Sequence, residues 1–272
     1  MIYTCPVCGK PLSLAGAALK CAEKHSFDVS RSGYVNLLLS KHVGKNVHGD
    51  DKLMVKARRE FLEKGYYSPL RDSLCETVRK YFCGNTLLDA GCGEGWYTSA
   101  VAEALENVEI CGFDISKIAV EYASKRDKKT HYAVASVFHM PVADQSCDML
   151  VSLFAPYCGE EFNRVLRMDG VMIIAIPSLD HLWELKDKIY DLPYKNEVKP
   201  YDLKGFELLE NRHIKYKMCI ENTEDIKHLF MMTPYYYRTN PQQAARLDDL
   251  LSLEITADFE LLVYKRIAIN DK

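Results

Sequence analysis

The chain has 272 residues, 48% of them hydrophobic, and 35 Lys and Arg against 38 Asp and Glu, a formal net charge of -3. That length allows about two domains with a full apolar core, and no apolar run approaches the ~20 residues of a membrane span. The balance excludes a uniformly basic nucleic-acid binder. However, residues 1–60 hold ten Lys and Arg against five Asp and Glu, a local charge of +5 that suits contact with phosphates. The stretch from Met1 to Cys5 has no charged segment followed by an apolar one, which predicts a cytoplasmic protein without a signal peptide.

From the N-terminus, Cys5, Cys8, Cys21 and His25 stand in the spacing C-x2-C-x12-C-x3-H. Two close ligand pairs a dozen residues apart predict a tetrahedral zinc site. Four protein ligands leave no open position for a water or a substrate, so a structural metal is expected. The turn from Cys5 to Gly9 aims two sulfurs at one point, with Gly9 letting the backbone reverse. The other cysteines are scattered, which fits a reducing compartment better than a disulfide framework. Residues 1–38 are read as the zinc module, closed by a return strand over Gly33–Leu38. Residues 39–83 are read as a connector. It begins with a polar, flexible loop over 41–51, in which Asp50 or Asp51 is placed to cap a helix. That helix spans Lys52–Lys64, with Met54, Ala57, Phe61 and Leu62 on one side. A second helix spans Pro69–Phe82, with its proline in the first turn.

The remainder, 84–272, alternates strands and helices. Strands are expected at Thr86–Asp89, Val108–Asp114, His131–Ala135, Met149–Leu153 and Val171–Pro177. Helices are expected at Tyr97–Leu105, Lys117–Lys125 and Glu160–Leu166. Such alternation predicts a parallel sheet covered by helices on both faces. The tail adds a strand at Ile214–Cys219, a helix at Thr223–Met231 and a last strand at Phe259–Arg266. The first strand of this region runs into Asp89-Ala90-Gly91-Cys92-Gly93-Glu94-Gly95. Glycines there let the backbone pass close to a ligand, and the helix start that follows exposes N–H groups to an anion. Asp114 closes the next strand, where an acidic side chain can accept both hydroxyls of a ribose.

The form D-x-G-C-G-x-G resembles the cofactor motif of class I S-adenosylmethionine-dependent methyltransferases. That resemblance implies an α/β Rossmann-like fold with a seven-stranded sheet whose last strand is antiparallel, a role that suits Phe259–Arg266. It implies further that Asp89, Gly91, Gly93, Glu94 and Gly95 form the cofactor turn, that Asp114 holds the ribose and that Ser136 lies beside the adenine. The methyl would face Phe154-Ala155-Pro156-Tyr157. No acidic residue stands there, and the Asn/Asp-Pro-Pro-aromatic motif of many amino methyltransferases is absent, which argues against exocyclic amino methylation and leaves the catalytic base unidentified.

The chain as a whole resembles the bacterial 23S rRNA (guanine-N1)-methyltransferases. The marks are the zinc spacing, Ser26-Phe27-Asp28, Ala57-Arg58-Arg59-x-Phe61-Leu62, Gly65-x-Tyr67-x-Pro69-Leu70, the glycine turn, His181-Leu182-x-Glu184-Leu185-Lys186 and Met232-Thr233-Pro234. This resemblance implies methyl transfer to N1 of a guanine in a hairpin loop of 23S ribosomal RNA, S-adenosylmethionine as cofactor, one structural zinc, and a homodimer. It adds Tyr67 and His181 as cofactor contacts. Arg58 and Arg59, in the basic front end, are expected to meet RNA phosphates, and Trp96, Phe154, Tyr157 or Trp183 to stack on a base. Two rivals share parts of the pattern: a small-molecule methyltransferase, which would not need the zinc module, and an RNA-binding protein that no longer catalyses.

Overall fold

The computed structural model of the protein describes residues 1–40, 49–198 and 201–269. Residues 41–48, most of the loop read as flexible, lie outside them. The N-terminal segment forms a small antiparallel sheet of β1 (Ser13–Ala15), β2 (Ala18–Lys20) and β3 (Ser26–Asp28) in the order β1-β2-β3. The expected return strand contributes only β4 (Val35–Asn36). Val35 bridges Val29 on one side, and on the other β4 joins the main sheet in parallel.

After β4 come α1 (Lys52–Glu63), α2 (Ser68–Tyr81), β5 (Thr86–Ala90), α3 (Trp96–Ala104), β6 (Glu109–Asp114), α4 (Lys117–Arg126), β7 (His131–Val134), β8 (Cys147–Leu153), α5 (Gly159–Val165) and β9 (Leu166–Pro177). The chain continues through α6 (Trp183–Ile189), β10 (Phe206–Ile220), α7 (Thr223–Met231), the short α8 (Pro241–Ala244) and β11 (Leu253–Arg266). The main sheet has eight strands in the order β10-β11-β9-β8-β5-β6-β7-β4. The seven expected strands are all present, with β11 antiparallel between β9 and β10. The eighth is β4, an edge strand lent by the N-terminal segment. It was expected as the return strand of the zinc module, and only its parallel pairing with β7 makes it part of the main sheet.

Every residue of β5 is buried because both faces of the strand are covered. Leu87 packs in a cluster with Leu74, Val78 and Val101 from α2 and α3. Leu88 packs on the opposite face with Phe162 and Val165 of α5 and with Tyr3 and Leu12 of the zinc segment. The zinc segment therefore shares one apolar cluster with the sheet. The hydroxyl of Tyr3 lies 2.8 Å from the Gly112 carbonyl oxygen, and the Thr4 N–H donates to the Pro141 carbonyl at 2.8 Å. The edge strand β10 and its neighbour β11 run longer than expected, 15 and 14 residues. Charged side chains on the open side of β10 hid its length. Helix α6 was not anticipated: it is seven residues long, polar on one side, and starts after Leu182 in a left-handed conformation. Among the described residues no helix is long and apolar enough to cross a membrane.

Chain order reverses on the two sides of β5, which pairs with β6 on one flank and β8 on the other. A crevice opens at the carboxyl end of a parallel sheet where neighbouring connections diverge in this way. The functional cavity lies there.

Candidate active site and metal centre

The four zinc-type ligands converge. Cys8 Sγ lies 3.7 Å from Cys21 Sγ, and His25 Nδ1 lies 3.5 Å from Cys5 Sγ and 3.4 Å from Cys21 Sγ. All four donor atoms fall within 4.8 Å of one another. Tetrahedral zinc with its usual bond lengths would separate two sulfurs by roughly 3.8 Å and a sulfur from a nitrogen by roughly 3.5 Å. The donor set fits zinc. Two turns aim it: the Gly9 N–H donates to the Cys5 carbonyl at 2.8 Å, with Gly9 at φ +72°, and the Lys24 N–H donates to the Cys21 carbonyl at 3.0 Å.

The second site is a cleft of about 630 Å³ over the carboxyl ends of β5, β6, β7 and β8. Its floor is the glycine turn together with Asp114 and the segment Ala135–Phe138; one wall is Phe154–Pro156; α1, Tyr67, His181 and Met232–Tyr235 close the other side. Of the nine residues expected to hold the cofactor, Tyr67, Asp89, Gly91, Gly93, Glu94, Asp114, Ser136 and His181 line it. Gly95 does not. A Cβ on Gly95 would meet Ala123 Cβ at 2.8 Å, so this glycine serves the packing of α3 against α4. Gly91 does belong to the cleft, and a Cβ there would meet Ala155 Cβ at 2.5 Å.

Asp114 is fixed by backbone donors: its Oδ2 accepts from Gly93 N–H at 3.1 Å and its Oδ1 from Ser116 N–H at 2.8 Å. Ser136 Oγ accepts from Phe138 N–H at 3.2 Å. Tyr67 packs edge-on against Phe61 and Phe259, with ring centroids 5.3 and 5.0 Å away. His181 stacks at a tilt 4.5 Å from Phe259, and its Nδ1 accepts from the Asp258 N–H at 3.3 Å. Burial lowers the His181 pKa to about 3, so the ring is neutral and the bond from Asp258 places its proton on Nε2.

The comparisons with known proteins meet this geometry at both sites. A family model for the N-terminal zinc ribbon of RlmA matches residues 3–42, and one for a methyltransferase domain matches residues 83–230. The 23S rRNA (guanine(748)-N(1))-methyltransferase of Streptomyces fradiae is 35% identical over 254 residues, covering 89% of this chain and 88% of that protein. YxjB of Bacillus subtilis strain 168, provisionally named a 23S rRNA (guanine-N1)-methyltransferase, is 32% identical over 275 residues and 96% of both chains. The chain belongs to the 23S rRNA (guanine-N1)-methyltransferase family. A Micromonospora griseorubida relative with the same provisional name is 37% identical over 206 residues, 68% of each chain. The methyltransferase domain takes S-adenosylmethionine as cofactor, and the ribbon takes a structural zinc.

Within the methyltransferase cavity the acids are unusual. Asp89 is 3% exposed, and its Oδ2 accepts from Thr98 Oγ1 at 2.6 Å while its Oδ1 has no partner among the described residues. Burial first, against the Thr98 bond, and then the nearby Asp114 and Glu94 raise its pKa to about 7. Burial also raises Glu94 and Asp114. A carboxyl held above its ordinary value binds a proton that the unfolded chain would release. Stability is therefore fully present below about pH 4 and is lost as pH rises through about 7. Asp89→Asn removes that loss and keeps an oxygen for Thr98. In the cofactor-free protein, the stability of Asp89→Asn relative to wild type is expected to rise by about 3 kcal/mol between pH ~5 and pH ~8. Denaturant unfolding at the two pH values checks this; a difference that does not change with pH would show Asp89 ionised throughout.

The cavity also draws in residues to which the sequence reading gave another role or none. Arg58, expected to meet RNA phosphates, lines the cleft and pairs with Asp50 at 2.5 Å. Asp51 alone caps α1, accepting from Leu53 and Met54 N–H at 2.8 and 2.9 Å. Tyr97, Met54 and Tyr235 also line the cavity, and no motif marks them. Of the four aromatic residues expected to stack on a base, Phe154 is in the cleft wall and 46% exposed. Trp96 is buried against Tyr97, and Tyr157 and Trp183 do not line the cleft.

Proposed function

We propose that the protein transfers the methyl group of S-adenosylmethionine to N1 of a guanine in a hairpin loop of 23S ribosomal RNA. The observation that carries the reading is the pairing of a zinc-ligand cluster with a cleft whose acceptor wall, Phe154–Pro156, presents an exposed aromatic ring and no carboxylate. When bound, the cofactor supplies a methyl already activated on a sulfonium, so the protein's task is alignment. In this reading Asp114 holds the ribose, Ser136 borders the adenine, Gly91, Gly93 and Glu94 take the methionine end, and Tyr67 and His181 cover it. Asp89 sets the glycine turn through Thr98, and Gly95 supports the helix that follows. Guanine N1 lies on the Watson–Crick edge, so the base must be unpaired or turned out of its helix, and Phe154 is placed to stack on it. The ribbon built on Cys5, Cys8, Cys21 and His25 reads the RNA. By resemblance the active unit is a homodimer, which sedimentation of the purified chain tests.

The decisive experiment is primer extension on 23S rRNA from cells with and without the gene. A methyl on N1 blocks Watson–Crick pairing and stops reverse transcriptase. A gene-dependent stop at a hairpin-loop guanine is expected; identical traces would overturn the substrate assignment.

A further inference from the structure

Arg58 and Arg59 are neighbours on α1, and about 100° of helical rotation sends them to different tasks. Arg59 lies over the ring of Tyr122, 4.7 Å from its centroid. Arg58 reaches over the glycine turn: its Nη1 is 3.8 Å from where a Cβ on Gly93 would stand, and its side chain is 23% exposed. Three carboxylates act on it, those of Asp50, Glu94 and Asp114. Nη1 pairs with Asp50 at 2.5 Å. Among the described residues that line the cavity, Arg58 is the only cation, because His181 is held neutral.

The cofactor carries a single anionic group, the carboxylate of its methionine end, next to an ammonium. A guanidinium presents paired donors that match a carboxylate, whereas the neighbouring acids match the ammonium. We propose that Arg58 binds the methionine carboxylate of S-adenosylmethionine, with the Glu94 carboxylate beside it for the ammonium. Asp50 holds the guanidinium over Gly93 through its pair with Nη1. Arg58 is then a cofactor-specificity residue and not an RNA contact. The assignment rests on the cleft being the cofactor site.

Two ligands separate this role from a structural one. S-adenosylhomocysteine carries the amino-acid end, and 5′-methylthioadenosine lacks it but keeps the nucleoside. Dissociation constants of both are measured by calorimetry on the full chain, for wild type, Arg58→Ala and Arg58→Gln. Both variants are expected to bind S-adenosylhomocysteine about ten- to a hundred-fold more weakly, with 5′-methylthioadenosine affinity unchanged. Unchanged binding of the methylthioadenosine also certifies the fold. Equal losses for the two ligands would overturn the proposal by placing Arg58 at the nucleoside end or in the scaffold, and unchanged S-adenosylhomocysteine binding would overturn it outright. A wild-type protein that binds neither ligand would instead overturn the cofactor reading on which the proposal rests.

Discussion

Replacing Cys21 with serine is expected to strip the zinc and lower the stability of the whole protein, not of its N-terminal segment alone. Cys5 and Cys21 are 1% and 8% exposed, and they pack in one cluster with Leu12, Leu19 and Leu37 and with Phe113 and Val142 from the sheet side. The ribbon's own strands are three residues each, too short to persist without the metal. Zinc affinity in such modules is folding free energy, on the order of 10 kcal/mol. Losing it frees Tyr3 from the Gly112 and His131 carbonyls and uncovers the apolar face of β6 and β7. The Leu37 N–H also leaves the Val134 carbonyl, one residue before the cavity floor begins at Ala135. Wild type is expected to hold one zinc per chain and the variant close to none, with a destabilisation of about 5 kcal/mol or more and a melting temperature lower by roughly 10 °C or more. Metal analysis and a thermal melt check both. A variant that melts with wild type would mean that the ribbon folds without its metal.

The second large effect is expected at Gly91. It sits at φ +93°, and its N–H and that of Cys92 both donate to the Phe113 carbonyl, at 2.9 and 3.0 Å. A side chain there meets two separate obstacles. The backbone conformation costs an L residue about 1–2 kcal/mol. The Cβ would also stand 2.5 Å from Ala155 Cβ, forcing the glycine turn and the acceptor wall apart. Gly91→Ala is expected to weaken cofactor binding about a hundred-fold or more, since positioning and strain act together on the same cleft. Adding Ala155→Gly leaves only the Ala155 Cα, at 3.8 Å, and so relieves the collision but not the backbone strain. The double variant should recover part of the affinity, and calorimetry on both variants measures how much. Full recovery would assign the whole effect to the collision, and none would assign it to the backbone.

The order of strands and helices was legible because a strand covered on both faces reads as an apolar run and a helix as a periodic one, as Thr86–Ala90 and Lys52–Glu63 illustrate. Boundaries were least legible where exposure weakens the pattern. Strand β10 keeps its backbone pairing with β11 through a largely exposed stretch in which Phe206, Leu208 and Leu209 do not alternate strictly with polar residues, so its first eight residues gave no period-two signal. Helix α6 is held by Glu184, which accepts from Thr256 N–H at 2.8 Å, and by the buried Lys186, which donates to Asn196 Oδ1 at 2.6 Å. Both partners come from outside the helix, so no local pattern announces it.

By itself the sequence determined the chemistry that depends on short spacings. Cys5 and Cys8 lie within one turn of chain, as do Cys21 and His25, so the spacing alone makes each pair converge. Gly91, Gly93 and Gly95 all stand at positive φ, a backbone conformation that favours glycine, so the motif itself specifies the turn. Tertiary structure decided everything that depends on which distant residues meet. It made β4 part of the main sheet, turned Gly95 from a ligand neighbour into a packing contact with Ala123, and gave Asp51 to the helix cap and Asp50 to Arg58. It also set Tyr67 and His181, 114 positions apart in the chain, around the same Phe259 ring. Spacing along a chain specifies a turn because few bonds separate the partners. A cavity wall is specified only when the core has packed, because burial and the partner's side of each contact arrive together.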